Sequence, residues 1–254
     1  MSFADATTRF STKAEVYAKA RPRYPASIVT WLQQQGILHA GMTLVDIGSG
    51  TGLSAEPFLQ AGYSVLGVEP NSPMRQEGDK YLQTYPRYRS VHGTAEATSL
   101  PDRSADFAFA AQAFHWFDLD RTRREMQRIL RPPGYFLAMW NHRNHDASPL
   151  HREYEDVLLA HCPEYPRLTT LYRSPARSAA FFPDGYQNTT LPNSQRLTWE
   201  LFEARVLSSS YIPAPESAAF APFMHRMRLL FDKYAQAGVV NFDLEIWLHV
   251  GRLL

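Results

Sequence analysis

The chain has 254 residues, 44% of them hydrophobic, and sets 26 Lys and Arg against 25 Asp and Glu for a formal net charge of +1. That length can bury a full α/β core as one domain plus an insertion or small cap, and so even a charge balance gives no reason to expect a nucleic-acid or membrane partner. The single cysteine, Cys162, cannot close an internal disulfide and no CxxC pair suggests zinc, so a reducing cytoplasm is the expected setting. The first residues, Met1 to Arg9, lack the apolar core of a signal peptide. No later run approaches about 18 apolar residues, so a membrane span is not expected either.

In chain order, residues 10–24 put Ala14, Tyr17 and Ala18 on one helical face before Pro22 and Pro25 stop the helix. Such an arm either docks on the body of the protein or folds over a ligand, with Arg21 meeting a carboxylate and Tyr17 covering an apolar part. Ile28, Trp31 and Leu32 then share the face of a helix that ends near Gly36.

The organising stretch runs from Thr43 to Pro70. The apolar run Leu44, Val45, Ile47 enters a loop with glycine at 48, 50 and 52, a short helix from Leu53 to Ala61 follows, and a second apolar run ends in Glu69. This reads as strand, glycine turn, helix and strand, with an acid at a carboxyl strand end where open α/β sheets bind ligands. The glycines let the main chain approach a ligand, and Glu69 can grip a ribose diol with one carboxylate. A dinucleotide site is expected to read G-x-G-x-x-G, whereas this chain reads G-x-G-x-G with Asp46 just before it. An acid there is a poor neighbour for a pyrophosphate and a good one for an ammonium group. S-adenosylmethionine has the ribose, the amino group and no phosphate, so it is the expected ligand, with NAD(P) the competing one.

Pro70-Asn-Ser-Pro73 starts the next helix, with Met74 early enough in it either to pack in the core or to lie on an adenine face. After a short strand, Arg89 to Gly93, the loop Thr94 to Asp102 offers Glu96 to an adenine amino group and the Ala95 amide to a ring nitrogen. Asp106 to Phe117 is a buried parallel strand from whose end Gln112, His115 and Trp116 emerge. Leu119, Met126, Ile129 and Leu130 form the apolar stripe of a helix whose arginines (121, 123, 124, 128) suit a solvated face better than RNA. Tyr135 to Trp140 is a fifth strand.

From Asn141 to about Arg196 periodicity is poor and prolines recur, as in a substrate-facing lid. His142, His145, His151 and His161 lie in or near it without a familiar metal-ligand pattern, and no metal is expected. Order returns from Leu197 to Tyr211, followed by an amphipathic helix from Ala218 to Ala237 and an alternating strand from Val239 to Leu254. The expected plan is an arm and cofactor core over 1–140, a lid over 141–196 and a completing segment over 197–254.

Phe10, Tyr17, Arg21-Pro22, Tyr24-Pro25, the loop Asp46 to Gly52, Glu69-Pro-Asn-Ser72, Thr94-Ala-Glu96, Ala113-Phe-His-Trp-Phe117 and Ser210-Tyr-Ile-Pro213 together resemble the class I S-adenosylmethionine-dependent methyltransferases. Within that class the chain resembles the small-molecule branch containing the trans-aconitate and cantharidin methyltransferases. The resemblance implies a Rossmann-like α/β fold, its seven-stranded sheet mostly parallel with the last strand antiparallel, helices on both faces and a lid. It implies cofactor contacts at Asp46, Gly48, Gly50, Glu69, Ala95, Glu96 and Gln112, to which the reading of the loops adds Tyr17, Arg21, Ser49, Gly52, Pro70 and Met74. The expected product is S-adenosylhomocysteine. On the acceptor side, His115 is the expected base for a hydroxyl and Trp116 either an apolar wall or an indole N–H donor to an acceptor carboxylate, with Asn141, Arg143, Ser210 and Tyr211 lining the substrate. The expected partner is a small-molecule acceptor methylated on a carboxylate or hydroxyl oxygen, for a monomer or homodimer, with RNA modification a distant alternative. Pro133, where a glycine is usual, and the weakly matching 141–196 segment depart from the pattern.

Overall fold

The computed structural model describes residues 21–166 and 175–254. The apolar runs become strands: β1 Thr43–Ile47, β2 Ser64–Val68, β3 Tyr88–Val91, β4 Ala105–Ala111, β5 Leu130–His142, β6 Gln187–Leu197 and β7 Val240–Arg252. They form one seven-stranded sheet in the order β3-β2-β1-β4-β5-β7-β6. Strands β1 to β5 are parallel, and β7 is antiparallel to both β5 and β6. The order turns back between β1 and β4, so the loops leaving those two strands diverge and open a crevice at their carboxyl ends.

Helices cover both faces. One apolar layer joins α1 (Ser27–Gln34) and α2 (Glu56–Gln60) to the sheet through Ile28, Leu32, Phe58, Val65, Phe107 and Phe109. The other packs Met126 and Ile129 of α4 (Leu119–Ile129) and Phe181 of α6 (Pro175–Phe181) on Val45, Ala108, Phe136 and Ala138. Alanines at 108, 110 and 138 let the α4 side chains close on the strands, which explains the mixture of small and aromatic residues in β4 and β5. Between them, α3 (Ser72–Tyr81) starts on Asn71, whose side chain accepts from the Met74 amide at 3.0 Å.

A third apolar layer unites α5 (Pro149–His161), α7 (Trp199–Leu207) and α8 (Phe220–Tyr234) with the start of β7 through Tyr154, Leu158, Phe202, Phe223, Phe231 and Phe242. This helical layer stands over the carboxyl ends of the central strands. The 141–196 segment, read from its poor periodicity as a lid, contains α5, α6 and nearly all of β6, which is an edge strand of the main sheet. Pro192 is tolerated there because an edge strand needs only one row of hydrogen bonds. No helix among the described residues is long and apolar enough to cross a membrane.

Candidate active site

Immediately after β1 the chain turns through Gly48, Ser49 and Gly50. Gly48 has φ +71°, and a Cβ on it would stand 2.8 Å from that of Ala113, so any side chain meets both backbone strain and steric contact. The Gly48 and Ser49 amides donate to the Val68 carbonyl at 2.9 and 3.1 Å, tying the loop to the end of β2. Glu69 follows at once. Its Oε2 accepts from the Gly50 amide at 2.9 Å and its Oε1 from the Asn71 amide at 2.8 Å. Two backbone donors thus fix the carboxylate while leaving lone pairs on both oxygens for a ligand. Burial pushes the Glu69 pKa up, and the two amide bonds oppose it.

Asp46 is fully buried and does not line the cavity beside the loop. Its Oδ2 accepts from the Ser54 hydroxyl at 2.5 Å, and its Oδ1 is buried without a hydrogen-bond partner among the described residues. Burial, with the charge of Glu69 as a smaller contribution, raises its pKa to about 7. A cation arriving nearby is what such a carboxylate lacks.

Two cavities of similar size, about 180 and 170 Å³, meet at the ends of β1, β4 and β5. The first is lined by Gly48, Ser49, Gly50, Glu69, Pro70, Asn71, Met74, Ala95, Trp116 and Phe117, with Tyr24 from the N-terminal side. The second is lined by Trp140, His142, Arg143, Tyr154, Tyr165, Ser208, Ser209, Tyr211, Phe242 and Trp247. Arg21, Gln112, Asn141 and Arg205 line both, so the cavities adjoin along these four side chains. That seam is braced: Gln112 donates to the Asn141 carbonyl at 2.9 Å, Asn193 donates to Asn141 Oδ1 at 2.7 Å and to the Arg23 carbonyl at 2.9 Å, and Arg21 donates to the Ser208 carbonyl at 3.1 Å.

Most of the residues expected at the site are gathered here. Arg21, Gly48, Ser49, Gly50, Glu69, Pro70, Met74, Ala95, Gln112 and Trp116 line the first cavity, while Asn141, Arg143 and Tyr211 line the second. Others stand off it. Gly52 lies against Leu82, where a Cβ would approach to 2.6 Å; Glu96 accepts from the Asp118 amide at 3.0 Å; and Ser208 and Ser209 rather than Ser210 face the second cavity. Tyr17 lies outside the described residues.

His115 lies outside the lining of both cavities, with its ring 4.9 Å from that of Trp116. Burial and the nearby Arg177 push its pKa down to about 3, so it is neutral at physiological pH and a weak proton acceptor. Sequence reading missed Arg205, Tyr154, Tyr165 and Trp247, which reach the site from elements far apart in the chain. Of the histidines of the 141–196 stretch, His142 lines the second cavity with its ring 4.1 Å from that of Trp247, and His151 bonds Ser148 and the Asp243 carbonyl.

Residues 45–138, from β1 into β5, match the family model described as a methyltransferase domain. This stretch is similar to a methyltransferase domain. It contains every lining residue of the first cavity between Gly48 and Phe117. An uncharacterized methyltransferase of Mycobacterium tuberculosis (strain H37Rv) is 33% identical over 140 residues, 55% of each chain. CRG1 of Saccharomyces cerevisiae, a candidate S-adenosylmethionine-dependent methyltransferase, is 32% identical over 134 residues, 49% of this chain and 43% of its own. The chain therefore spans about half the length of the curated relatives it matches. The solved structure of a candidate type II methyltransferase from Anaeromyxobacter dehalogenans shares the fold, with a TM-score of 0.62 and 24% identity over 92% of this chain and 98% of that one.

S-adenosylmethionine is the cofactor of such a methyltransferase domain, and the residues present fit it. Glu69 offers an oriented carboxylate to a ribose, Met74, Ala95 and Phe117 supply an apolar surface for a purine, and the orphaned Asp46 oxygen suits the electrostatics of a cationic ligand.

Proposed function

We propose that this protein methylates a small molecule on oxygen, with S-adenosylmethionine held in the first cavity and the acceptor in the second. The adjacency of the two cavities at Arg21, Gln112, Asn141 and Arg205 supports this reading, because a methyl donor and its acceptor must lie side by side. When bound, the cofactor supplies an electrophilic methyl group on a sulfonium, a displacement in which alignment and exclusion of water do much of the work. Glu69 holds the ribose, Arg21 and Arg205 offer charge to the methionine carboxylate, and the bracing of Gln112 and Asn141 keeps the seam in place. His115, with its low pKa and its position off the cavities, favours an acceptor oxygen that is already ionised over a hydroxyl in need of a base. A carboxylate acceptor agrees with the resemblance to the trans-aconitate and cantharidin branch. The even charge supports a small molecule over nucleic acid, and the helical layer of α5, α7 and α8 acts as the acceptor-side cap.

The test is calorimetry with S-adenosylhomocysteine. Micromolar binding by the whole chain, much weakened in Glu69→Ala, is expected. Absence of binding to the wild-type chain, or tighter binding of NAD or NADP, overturns the reading.

A further inference from the structure

The second cavity is lined by three arginines, Arg21, Arg143 and Arg205, and by no Asp or Glu among the described residues. Charges of one sign gathered in a partly closed space repel one another unless anions join them; the methionine carboxylate answers Arg21 and Arg205, which leaves Arg143 to the acceptor. Arg143 is the member that lines only this cavity. Its Nη2 is engaged by Glu155 and by the Tyr165 hydroxyl, which itself donates to Glu155 at 2.7 Å. Its guanidinium lies over the Tyr154 ring at 4.5 Å, so the group is locked in position. Nη1 is buried with no hydrogen-bond partner among the described residues. A fixed guanidinium with one engaged nitrogen and one idle one is a preorganised half of a charge-assisted contact.

We propose that Arg143 is the acceptor's specificity anchor, binding an anionic group of the acceptor that is not the one methylated. This rests on the reading of the second cavity as the acceptor site. The spatial argument is that Arg143 does not line the cofactor cavity, whereas the methylated atom must face it across the seam. The anchored group is therefore separated from the reacting oxygen. Trp140, Tyr154, Tyr211 and Trp247 line the same cavity with rings, which suits a flat body. Glu155 and Tyr165 are positioning residues: they orient Arg143 and offset part of its charge, so that the anion is held without being trapped.

The experiment follows the thermal shift of the whole chain saturated with S-adenosylhomocysteine, at constant ionic strength, with matched probes: benzoate against benzamide and succinate against succinamide. At least one acid is expected to raise the melting temperature where its amide does not. Arg143→Gln is expected to lose that response at least tenfold in apparent affinity, Arg143→Lys to keep part of it, and both to bind S-adenosylhomocysteine within about threefold of wild type. Glu155→Gln, which removes the competing carboxylate, is expected to strengthen the acid response; a purely structural role for the Arg143–Glu155 pair predicts no strengthening. Equal responses to acid and amide, no response to any acid, or an acid response undiminished in Arg143→Gln overturns the proposal. If Arg143→Gln fails to fold, the sign of the Glu155→Gln effect decides. Loss of S-adenosylhomocysteine binding by the wild-type chain would tell instead against the methyltransferase reading.

Discussion

The two halves of the site are built by different means. The cofactor side is made largely from main chain and short loops: Gly48 to Gly50, the Glu69 and Asn71 turn and the Ala95 loop all fall within residues 45–138, the stretch similar to a methyltransferase domain. The second cavity is made of long side chains from β5, α5, α7 and β7, and the residues that line it alone run from Trp140 to Trp247, beyond that domain. A site built from backbone constrains its residues tightly, since a Cβ at Gly48 has nowhere to go. A site built from side chains can change its ligand by exchanging one residue for another on an unchanged frame. The difference predicts that substitutions on the first side abolish the use of any acceptor, whereas those on the second change which acceptor is used.

The largest effect is expected at Glu69. Its replacement by Ala removes two potential hydrogen bonds from a carboxylate to a ribose and releases the Gly50 and Asn71 amides. Bonds to charged acceptors contribute about 1.5–3 kcal/mol each, so S-adenosylhomocysteine affinity should fall roughly 100-fold or more. The loss should be the same whichever acceptor is assayed. A loss that varied with the acceptor would break the division between the two halves.

Asp46 gives the same half a pH signature. Its pKa is raised from 3.8 to about 7, so between these values the folded chain retains a proton that the unfolded chain has released. The contribution is therefore fully present below pH 3.8 and lost as pH rises through about 7, an effect of roughly a few kcal/mol. Asp46→Asn removes this titration. Between pH 5 and pH 8 the melting temperature of the unliganded wild type should fall by about 5 °C more than that of Asp46→Asn. S-adenosylhomocysteine, through its ammonium group, should narrow the gap. Parallel curves for the two proteins would show that Asp46 is not the titrating group.

What the sequence revealed follows the same division. The glycine spacing, Glu69 and the end of β4 were legible because local turn chemistry and strand polarity place them without reference to the rest of the chain. Arg205 and Tyr154 were not, because each sits on a helix where an arginine or a tyrosine reads as ordinary surface or core; only the packing of α5 and α7 over the strand ends brings them together. Strand β6 was hidden for another reason. Its residues, Gln187 to Leu197, are polar and largely exposed, and the apolar alternation that marks a strand is carried by its partner β7. His115 is the converse case: a residue type suited to catalysis stands at the right sheet edge, yet its half-buried ring is outside the lining of both cavities, and burial with the charge of Arg177 lowers its pKa.

Arg177 braces the cofactor side from α6, outside both cavities, and supports the smallest expected effect. From α6, within the segment read as a lid, its guanidinium donates to the carbonyls of Phe114 and Phe117 and so clamps the turn Phe114–Trp116 that presents Trp116 to the cofactor cavity. Burial lowers the Arg177 pKa, but an arginine so placed remains charged throughout the working range. Arg177→Gln keeps a donor and loses the fork, so the turn should persist with less definition. Loss of one charge-assisted contact corresponds to roughly a tenfold fall in kcat, with S-adenosylhomocysteine affinity changed by no more than about threefold. Because the same substitution removes a positive neighbour from His115, the His115 pKa should rise, and a titration of its ring by NMR reads this directly. An unchanged kcat together with the shifted histidine would show that the clamp sets the electrostatics of the turn but not the placement of Trp116.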